Sequence, residues 1–237
     1  MLPQRSSLVR KLNSLFSPAS VATVSIGFNR WRLTNSSQQL IEGTYESNAQ
    51  LSSELGQNLL RERIAQVSIL FDSTVVAICV LDQSISLSLD GRYRYAQHCL
   101  RPIIGADIDN WQLTIDDTNS NPAFCSAIKK SLLKAALSAC TQAGAQCDSA
   151  RPTFIASICK RRAPKRVTLF FIDDIQSYHG MYWAPNTVPV MLAPMPKSLV
   201  ASRKIAESQI RTEASSIGIS ADATIEWLDA NIGKKNE

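Results

Sequence analysis

Two apolar runs, Val67-Ser-Ile-Leu-Phe71 and Val75-Val-Ala-Ile-Cys-Val-Leu81, open the stretch from Val67 to Cys159 around which the chain is organised. An alternating run, Ile85-Ser-Leu-Ser-Leu89, follows them, and a helical segment rich in tyrosine and arginine extends from Arg92 to Arg101. Apolar runs of this length predict buried strands, whereas the alternating run predicts a strand with one face in solvent.

The second half of this stretch continues the alternation of strands and helices. Trp111-Gln-Leu-Thr-Ile115 predicts a strand, Pro122 to Ala143 predicts the longest amphipathic helix, and a short segment lies around Thr153 to Cys159. Strands that alternate with helices favour an α/β domain, in which helices pack against a central sheet.

The predicted long helix has a start signal, a buried stripe and a stop signal. Asn121 and Pro122 are typical of an N-cap and a first helical position, and Gly144 is typical of the residue that follows a helix. Its apolar positions recur at helical spacing: Phe124, Ile128, Leu132, Ala136 and Cys140.

The chain before the central stretch predicts an antiparallel meander followed by a helix. Val21–Ile26, Arg30–Thr34 and Gln39–Glu42 are predicted strands, separated by turn residues. Ser47 to Gln50 fits a capping box, and leucines every fourth residue predict a helix to about Ile64.

The chain after the central stretch predicts a hairpin, an edge strand and a last helix. The hairpin pairs Val167–Ile172 with Gln176–Trp183, and Pro189 confines the strand Val188–Leu192 to an edge. The helix is predicted from Lys197 to Ile217, and Thr224–Leu228 predicts a final strand.

Composition indicates a globular protein with a balanced body. The 237 residues are 45% hydrophobic and 19% charged, which is ordinary for a globular protein. The sequence contains neither an apolar run long enough to cross a bilayer nor the apolar core of a signal peptide, so we expect a cytoplasmic protein. The net charge of +5 is equalled by five basic residues in one short segment, and this argues against a nucleic-acid-binding face. These residues are Lys160, Arg161, Arg162, Lys165 and Arg166.

The two ends are predicted to be separate from the folded body. Residues 1–18 form a basic amphipathic segment, in which leucines at helical spacing alternate with Arg5, Arg10 and Lys11. This segment either packs on the domain or contacts a membrane surface or partner. We assign residues 19–228 to the α/β domain and 229–237 to a loose tail.

No residue set for catalysis or metal binding is recognisable. The six cysteines are dispersed without a C-x-x-C pair, which favours free, mostly buried thiols. No recognisable motif gives His98 or His179 a serine or cysteine partner, and the pairs Asp116-Asp117 and Asp173-Asp174 are typical of turns. We therefore predict no catalytic, cofactor-binding or metal-binding residues.

Three segments give the chain a resemblance to a known group. Arg92-Tyr-Arg-Tyr-Ala-Gln-His98, Trp111-Gln-Leu-Thr-Ile115, and Phe124 through Gly144 with the following Arg151-Pro152 are similar to segments of the actin-like proteins of pilus and type II secretion assembly. The chain most resembles a short proteobacterial branch similar to their cytoplasmic platform component. The resemblance extends from about Val21 to Leu192, and it rests on packing residues.

The resemblance implies an actin-like, ribonuclease H-like α/β fold with strand meanders, flanking helices and two small lobes. It also implies a non-enzymatic cytoplasmic scaffold at the inner membrane, which docks the cytoplasmic segment of a single-span assembly protein in a groove and gains weak attraction from anionic lipid. No nucleic-acid partner and no cofactor are expected.

Two departures bear on the alternative, an actin-like ATPase or small-molecule kinase. Members of the wider group that bind ATP carry Asp-x-Gly after the first strand, whereas the matching stretch here is Ser25-Ile26-Gly27. Their second phosphate loop places glycines after an acidic residue, but Asp173 to Ser177 contains none. Side chains would crowd the phosphates, so we predict that the chain is not an enzyme.

Overall fold

Helices and strands alternate along the chain as expected for an α/β protein. The computed structural model describes residues 20–81, 88–116, 123–158, 164–185, 187, 189–200, 202–216, 218 and 223–228. Within these residues, the α-helices are α1 (Asn48–Arg61), α2 (Leu89–Ile104), α3 (Lys130–Ala143), α4 (Thr153–Ile158) and α5 (Arg203–Ser216), and Ala106–Asn110 forms a 3-10 helix.

A five-stranded sheet forms the first lobe. Its strands are β1 (Ser20–Ile26), β2 (Arg30–Asn35), β3 (Leu40–Thr44), β4 (Ile64–Phe71) and β8 (Gln146–Pro152), in the order β3-β2-β1-β4-β8. The first three strands form an antiparallel meander, and β4 and β8 add in parallel. The predicted meander is thus confirmed.

One face of this sheet is covered by α1 and α3. Leu51, Leu55 and Leu59 recur every four residues along α1 and are fully buried in the core of the lobe. The helices approach closely at Gly56, where a Cβ would lie 3.3 Å from the carbonyl oxygen of Ala139. A side chain at position 56 would therefore require the neighbouring atoms of α3 to shift by a few tenths of an ångström.

A small three-stranded sheet is inserted between β4 and β8. It consists of β5 (Val76–Leu81), β6 (Trp111–Asp116) and β7 (Ala123–Lys129), antiparallel in the order β5-β7-β6. Helix α2 lies against it through Ala96 and Leu100. Its other side contributes Ile78 and Phe124 to a core shared with the second lobe.

The second lobe contains the remaining strands. These are β9 (Thr168–Asp173), β10 (Ser177–Trp183), β11 (Val190–Met191), β12 (Met195–Pro196) and β13 (Thr224–Leu228). The order is β11-β10-β9-β13, with β12 beside β10 and β13 parallel to β9. Helix α5 packs on this sheet through Ala206, Ile210 and Ala214. The predicted hairpin and final strand are confirmed.

The predicted long helix is wrong in its first third. Residues Ala123–Lys129 form β7, and the helix begins only at Lys130. Strand β7 lies between β5 and β6 and is buried at six consecutive positions, so it lacks the alternation that distinguishes a half-buried strand from a helix. The proposed N-cap, Asn121 with Pro122, lies outside the described residues. Gly144 does follow the helix, with φ of 68°.

Other element boundaries also differ from the prediction. Helix α1 ends at Arg61 because Ile64 already belongs to β4, and α5 begins at Arg203 instead of Lys197. Strand β8, Gln146–Pro152, was not predicted, because its polar sequence carries little apolar pattern. The alternating run Ile85 to Leu89 was a predicted strand. Its positions 85–87 lie outside the described residues, and its last residue, Leu89, begins α2. Residues 1–19 and 229–237 are also outside it.

No helix among the described residues is long and apolar enough to cross a bilayer.

Candidate functional site

Three turns meet where the two lobes face each other. The first joins β1 to β2 at Gly27, the second follows β4 at Asp72, and the third joins β9 to β10 at Asp174. Backbone bonds fix the first two, since the Asp72 amide donates to the Ile26 carbonyl over 2.8 Å. We call the place where these turns meet the cleft.

Asp72 bonds both lobes. Its Oδ1 accepts the amide of Thr74 over 2.8 Å and the hydroxyl of Ser177 over 3.0 Å. Its Oδ2 accepts the amide of Gln176 over 2.7 Å. Because this side chain is fully buried, the three donors replace the water that a carboxylate otherwise requires. The Gln176 amide of the third turn therefore already has a hydrogen-bond acceptor within the protein.

The side chain of Gln176 closes the cleft. Its Oε1 would be 2.3 Å from a Cβ placed on Gly27, and Ile175 would be 3.1 Å from the same point. The Nε2 donates to Asn29 Oδ1 over 3.0 Å, whereas Oε1 is buried without a partner. The absence of a side chain at Gly27 therefore makes room for the side chain of Gln176.

Ser73, Asp174 and His179 form a second group of contacts between the lobes. Asp174 Oδ2 accepts the Ser73 amide over 3.1 Å and lies 2.9 Å from Ser73 Oγ. The same Oγ lies 2.7 Å from His179 Nδ1. His179 stacks on Phe154 of α4, with ring centroids 4.8 Å apart. All three polar side chains are buried. We call them the Ser73 cluster.

Burial shifts the pKa of both titratable members of the Ser73 cluster. Burial, followed by the charge of Asp72, raises the pKa of Asp174 to about 7. Burial lowers the pKa of His179 to about 4. At neutral pH the histidine is thus uncharged, and the carboxyl of Asp174 keeps its proton to a higher pH than an exposed carboxyl group does.

The cluster differs from a catalytic triad in its connections. In a triad the carboxylate orients the histidine, but here Asp174 and His179 both contact the serine hydroxyl, and no hydrogen bond among the described residues joins Asp174 to His179. Ser73 is itself only 7% exposed, which leaves its hydroxyl poorly accessible to a substrate. The arrangement is suited to holding two lobes together.

Sequence reasoning did not identify this site. The structure gives His179 a serine partner that the motif search could not find, because the two residues lie 106 positions apart. The pair Asp173-Asp174 lies at the turn between β9 and β10, as predicted, and its side chains make further contacts: Asp173 pairs with Lys197 and Arg203, and Asp174 accepts from Ser73. A usable signal existed, since both Asp72 and Asp174 come at the ends of buried apolar strands.

Cysteines and histidines do not assemble a metal-binding group within the described part of the chain. The five described cysteines are free. Cys79 and Cys125 oppose each other on β5 and β7, and their hydrogen bond and burial raise the pKa of Cys79. Cys159 falls outside the described residues.

Only Lys165 and Arg166 of the basic segment are described, and both are exposed.

Comparisons with known proteins add solved structures of similar fold. No protein-family model matches the sequence, and no curated protein matches it. The cytoplasmic domain of EpsL, an inner-membrane component of the type II secretion system of Vibrio cholerae, superposes with a TM-score of 0.54 at 12% identity, over 89% of this chain and 82% of that chain.

Two further structures show the same likeness. A PilM-PilN type IV pilus biogenesis complex matches with a TM-score of 0.52 at 13% identity, over 85% of this chain and 71% of that one. A protein of unknown function from Bacteroides thetaiotaomicron matches with a TM-score of 0.53 at 10% identity, over 89% of this chain and 81% of that one. It is described as having an actin-like ATPase fold. As the sequence resemblance predicted, this chain has the actin-like fold.

Proposed function

We propose that this chain is a non-enzymatic assembly protein of a type IV pilus or type II secretion-like system. In this role it lies at the cytoplasmic side of the inner membrane and docks the cytoplasmic segment of a single-span partner. The likeness to the EpsL domain and to a PilM-PilN complex supports this assignment, since both belong to such systems. The fold itself hosts many functions, so the state of the cleft carries more weight.

The closed cleft is the observation that carries the proposal. Phosphate-binding turns work by presenting free amide groups to the ligand at close range. Here the Gln176 amide is bonded to Asp72, and the Gln176 side chain fills the space in front of Gly27. A nucleotide would have to displace both contacts.

Charge also opposes the ATPase or kinase alternative. The cleft contains the buried carboxyl groups of Asp72 and Asp174, and Lys197 and Arg203 both pair with Asp173 at the start of the third turn. A triphosphate placed there would meet negative charge in a poorly solvated environment. Non-enzymatic function is accordingly the simpler proposal.

Calorimetric titration of Mg-ATP into the full chain tests the non-enzymatic part. We expect no binding heat at protein concentrations of tens of micromolar, which are suited to Kd values near ~1 μM. The variant Gln176→Gly is the matched control, because it removes the side chain that fills the cleft. We expect this variant not to bind Mg-ATP either, since the phosphate-loop carboxylate is still missing. Micromolar binding by the wild-type chain that is lost in Gly27→Val would refute the proposal.

Copurification tests the docking part separately. The partner is sought as a single-span protein encoded beside this gene, and it is coexpressed with the full chain. We expect the pair to copurify in detergent and the interaction to be lost when the partner's cytoplasmic segment is deleted. Copurification that survives the deletion would exclude this mode of docking.

A further inference from the structure

Two carboxyl groups are exchanged between the lobes. Asp72 follows β4 in the first lobe and accepts two donors of the second lobe, the Gln176 amide over 2.7 Å and the Ser177 hydroxyl over 3.0 Å. Asp174 follows β9 in the second lobe and accepts the amide of Ser73, in the first lobe, over 3.1 Å and its hydroxyl over 2.9 Å. Each lobe therefore supplies an acceptor for the other lobe's donors. We call these five residues the carboxylate clamp.

Most of the carboxylate clamp is closed to water. Asp72 and Ser177 are fully buried, and Asp174 and Ser73 are 4% and 7% exposed. In such surroundings an unpaired polar group costs more than it does in solvent, because water cannot replace the lost partner. The lobes therefore cannot separate by small steps, since a slight opening breaks hydrogen bonds before solvent reaches the separated groups.

The contacts of Asp174 do not depend on its charge. A carboxyl group that is protonated on one oxygen still accepts hydrogen bonds on the other. Both contacts with Ser73 go to the same oxygen, Oδ2. The carboxylate clamp thus joins the lobes in either protonation state of Asp174.

An apolar core continues the contact between the lobes beside the carboxylate clamp. Helix α4 follows β8 of the first lobe, and the Thr153 hydroxyl at its start donates to the Phe71 carbonyl of β4 over 3.2 Å. Phe154 of this helix is fully buried, and its ring centroid lies 4.8 Å from that of His179 and 6.3 Å from that of Phe124. Domains move relative to each other when their interface separates at little cost, and a shared apolar core opposes this.

We propose that the carboxylate clamp and the core beside it make the cleft a permanent joint, so that the two lobes stay closed and unfold together as one cooperative unit. The alternative is a hinge, at which the lobes separate while each of them stays folded. The inference does not rest on the proposed function, because it uses only contacts between the lobes.

Hydrogen exchange of the wild-type full chain distinguishes a joint from a hinge. The amides of Ser73 and Gln176 donate across the lobes. The reference amides, Ile69 of β4 and Phe171 of β9, lie in central strands of the two sheets. At a joint, all four amides are released by unfolding of the whole chain, whereas a hinge releases the first two while the lobes stay folded.

We expect the four opening constants to agree within about tenfold, measured at urea concentrations below the unfolding transition, where large openings dominate exchange. Opening constants for Ser73 and Gln176 that exceed those of Ile69 and Phe171 by more than this factor would show that the cleft opens separately. That result would overturn the proposal.

Asparagine substitutions test whether the two carboxyl groups act as one joint. Asp72→Asn keeps the size of the side chain but replaces an acceptor oxygen with a donor group, which cannot pair with the donors that face it. Each variant is measured at the amide held by the other carboxyl group, namely Ser73 in Asp72→Asn and Gln176 in Asp174→Asn. We expect its opening constant to rise by about 10- to 100-fold relative to the reference amide in the same lobe, as expected for the loss of a hydrogen bond to a charged group.

Asp90→Asn is the matched control, because Asp90 is exposed on α2 and its ion pair with Arg94 lies within that helix. It should leave the opening constants of both amides unchanged. An effect confined to the amide that lost its own acceptor would show two independent contacts and would contradict a single joint. If an asparagine variant does not fold, the wild-type comparison still decides between a joint and a hinge.

Discussion

At the scale of single residues, Gln176 and Gly27 are in close contact in the cleft. A glycine after the first strand suits a turn that brings backbone close to a ligand, but here the adjacent atom is Gln176 Oε1. The glutamine also joins the two turns through Asn29. Two residues in separate lobes are therefore complementary in size.

This complementarity predicts a coupling between the two positions. Gly27→Ala should destabilise the protein by about 1–2 kcal/mol, because the new methyl group displaces the Gln176 side chain and breaks its bond to Asn29. Adding Gln176→Ala should recover part of this loss, and a double-mutant cycle in urea measures the coupling. Strictly additive effects would contradict direct packing of Gln176 on Gly27.

At the scale of elements, the contact between α1 and α3 supports the first lobe. Leu55 lies on the buried face of α1, whereas Leu60 on the same helix is 61% exposed. The helix is short, so its stability depends on this tertiary contact more than on its own propensity. The leucine repeat predicted from the sequence is the buried face of the helix.

Two alanine substitutions on α1 should differ sharply in their effect. Leu55→Ala should lower the free energy of unfolding by about 2–5 kcal/mol, because it leaves a cavity beneath a fully buried side chain. Leu60→Ala has the same chemistry at an exposed position and should change it by less than about 0.5 kcal/mol. Denaturant unfolding of both variants gives the comparison, and similar losses would contradict the packing of α1.

At the scale of the whole molecule, the proposed function places the chain at the inner membrane. No helix among the described residues is suited to crossing a bilayer. Two attachments are proposed, namely a partner docked on the body and the basic residues Arg5, Arg10 and Lys11 of the N-terminal segment. Anionic lipid contributes about 1 kcal/mol per nearby basic residue, which orients a protein without holding it.

Cell fractionation separates these two attachments. Deleting residues 1–18 should reduce the membrane-associated fraction only in part, whereas deleting the single-span partner should move the protein to the soluble fraction. A variant with Arg5, Arg10 and Lys11 changed to Gln is the control that keeps chain length. If the protein remains with membranes without the partner and leaves them only without residues 1–18, the N-terminal segment is the anchor.

The sequence by itself determined the elements whose signals are local. Three strand-forming runs with turn residues between them predicted a meander from Val21 to Glu42, which the structure places from Ser20 to Thr44, and leucine spacing with the Ser47 cap predicted α1. Only the tertiary structure decided that Ala123–Lys129 is a central strand, because burial on both faces removes the periodicity that separates strand from helix. It alone also decided the cleft, since Ser73 meets Asp174 and His179 across more than a hundred residues, and such hydrogen bonds arise from how the lobes pack, which local pattern does not encode.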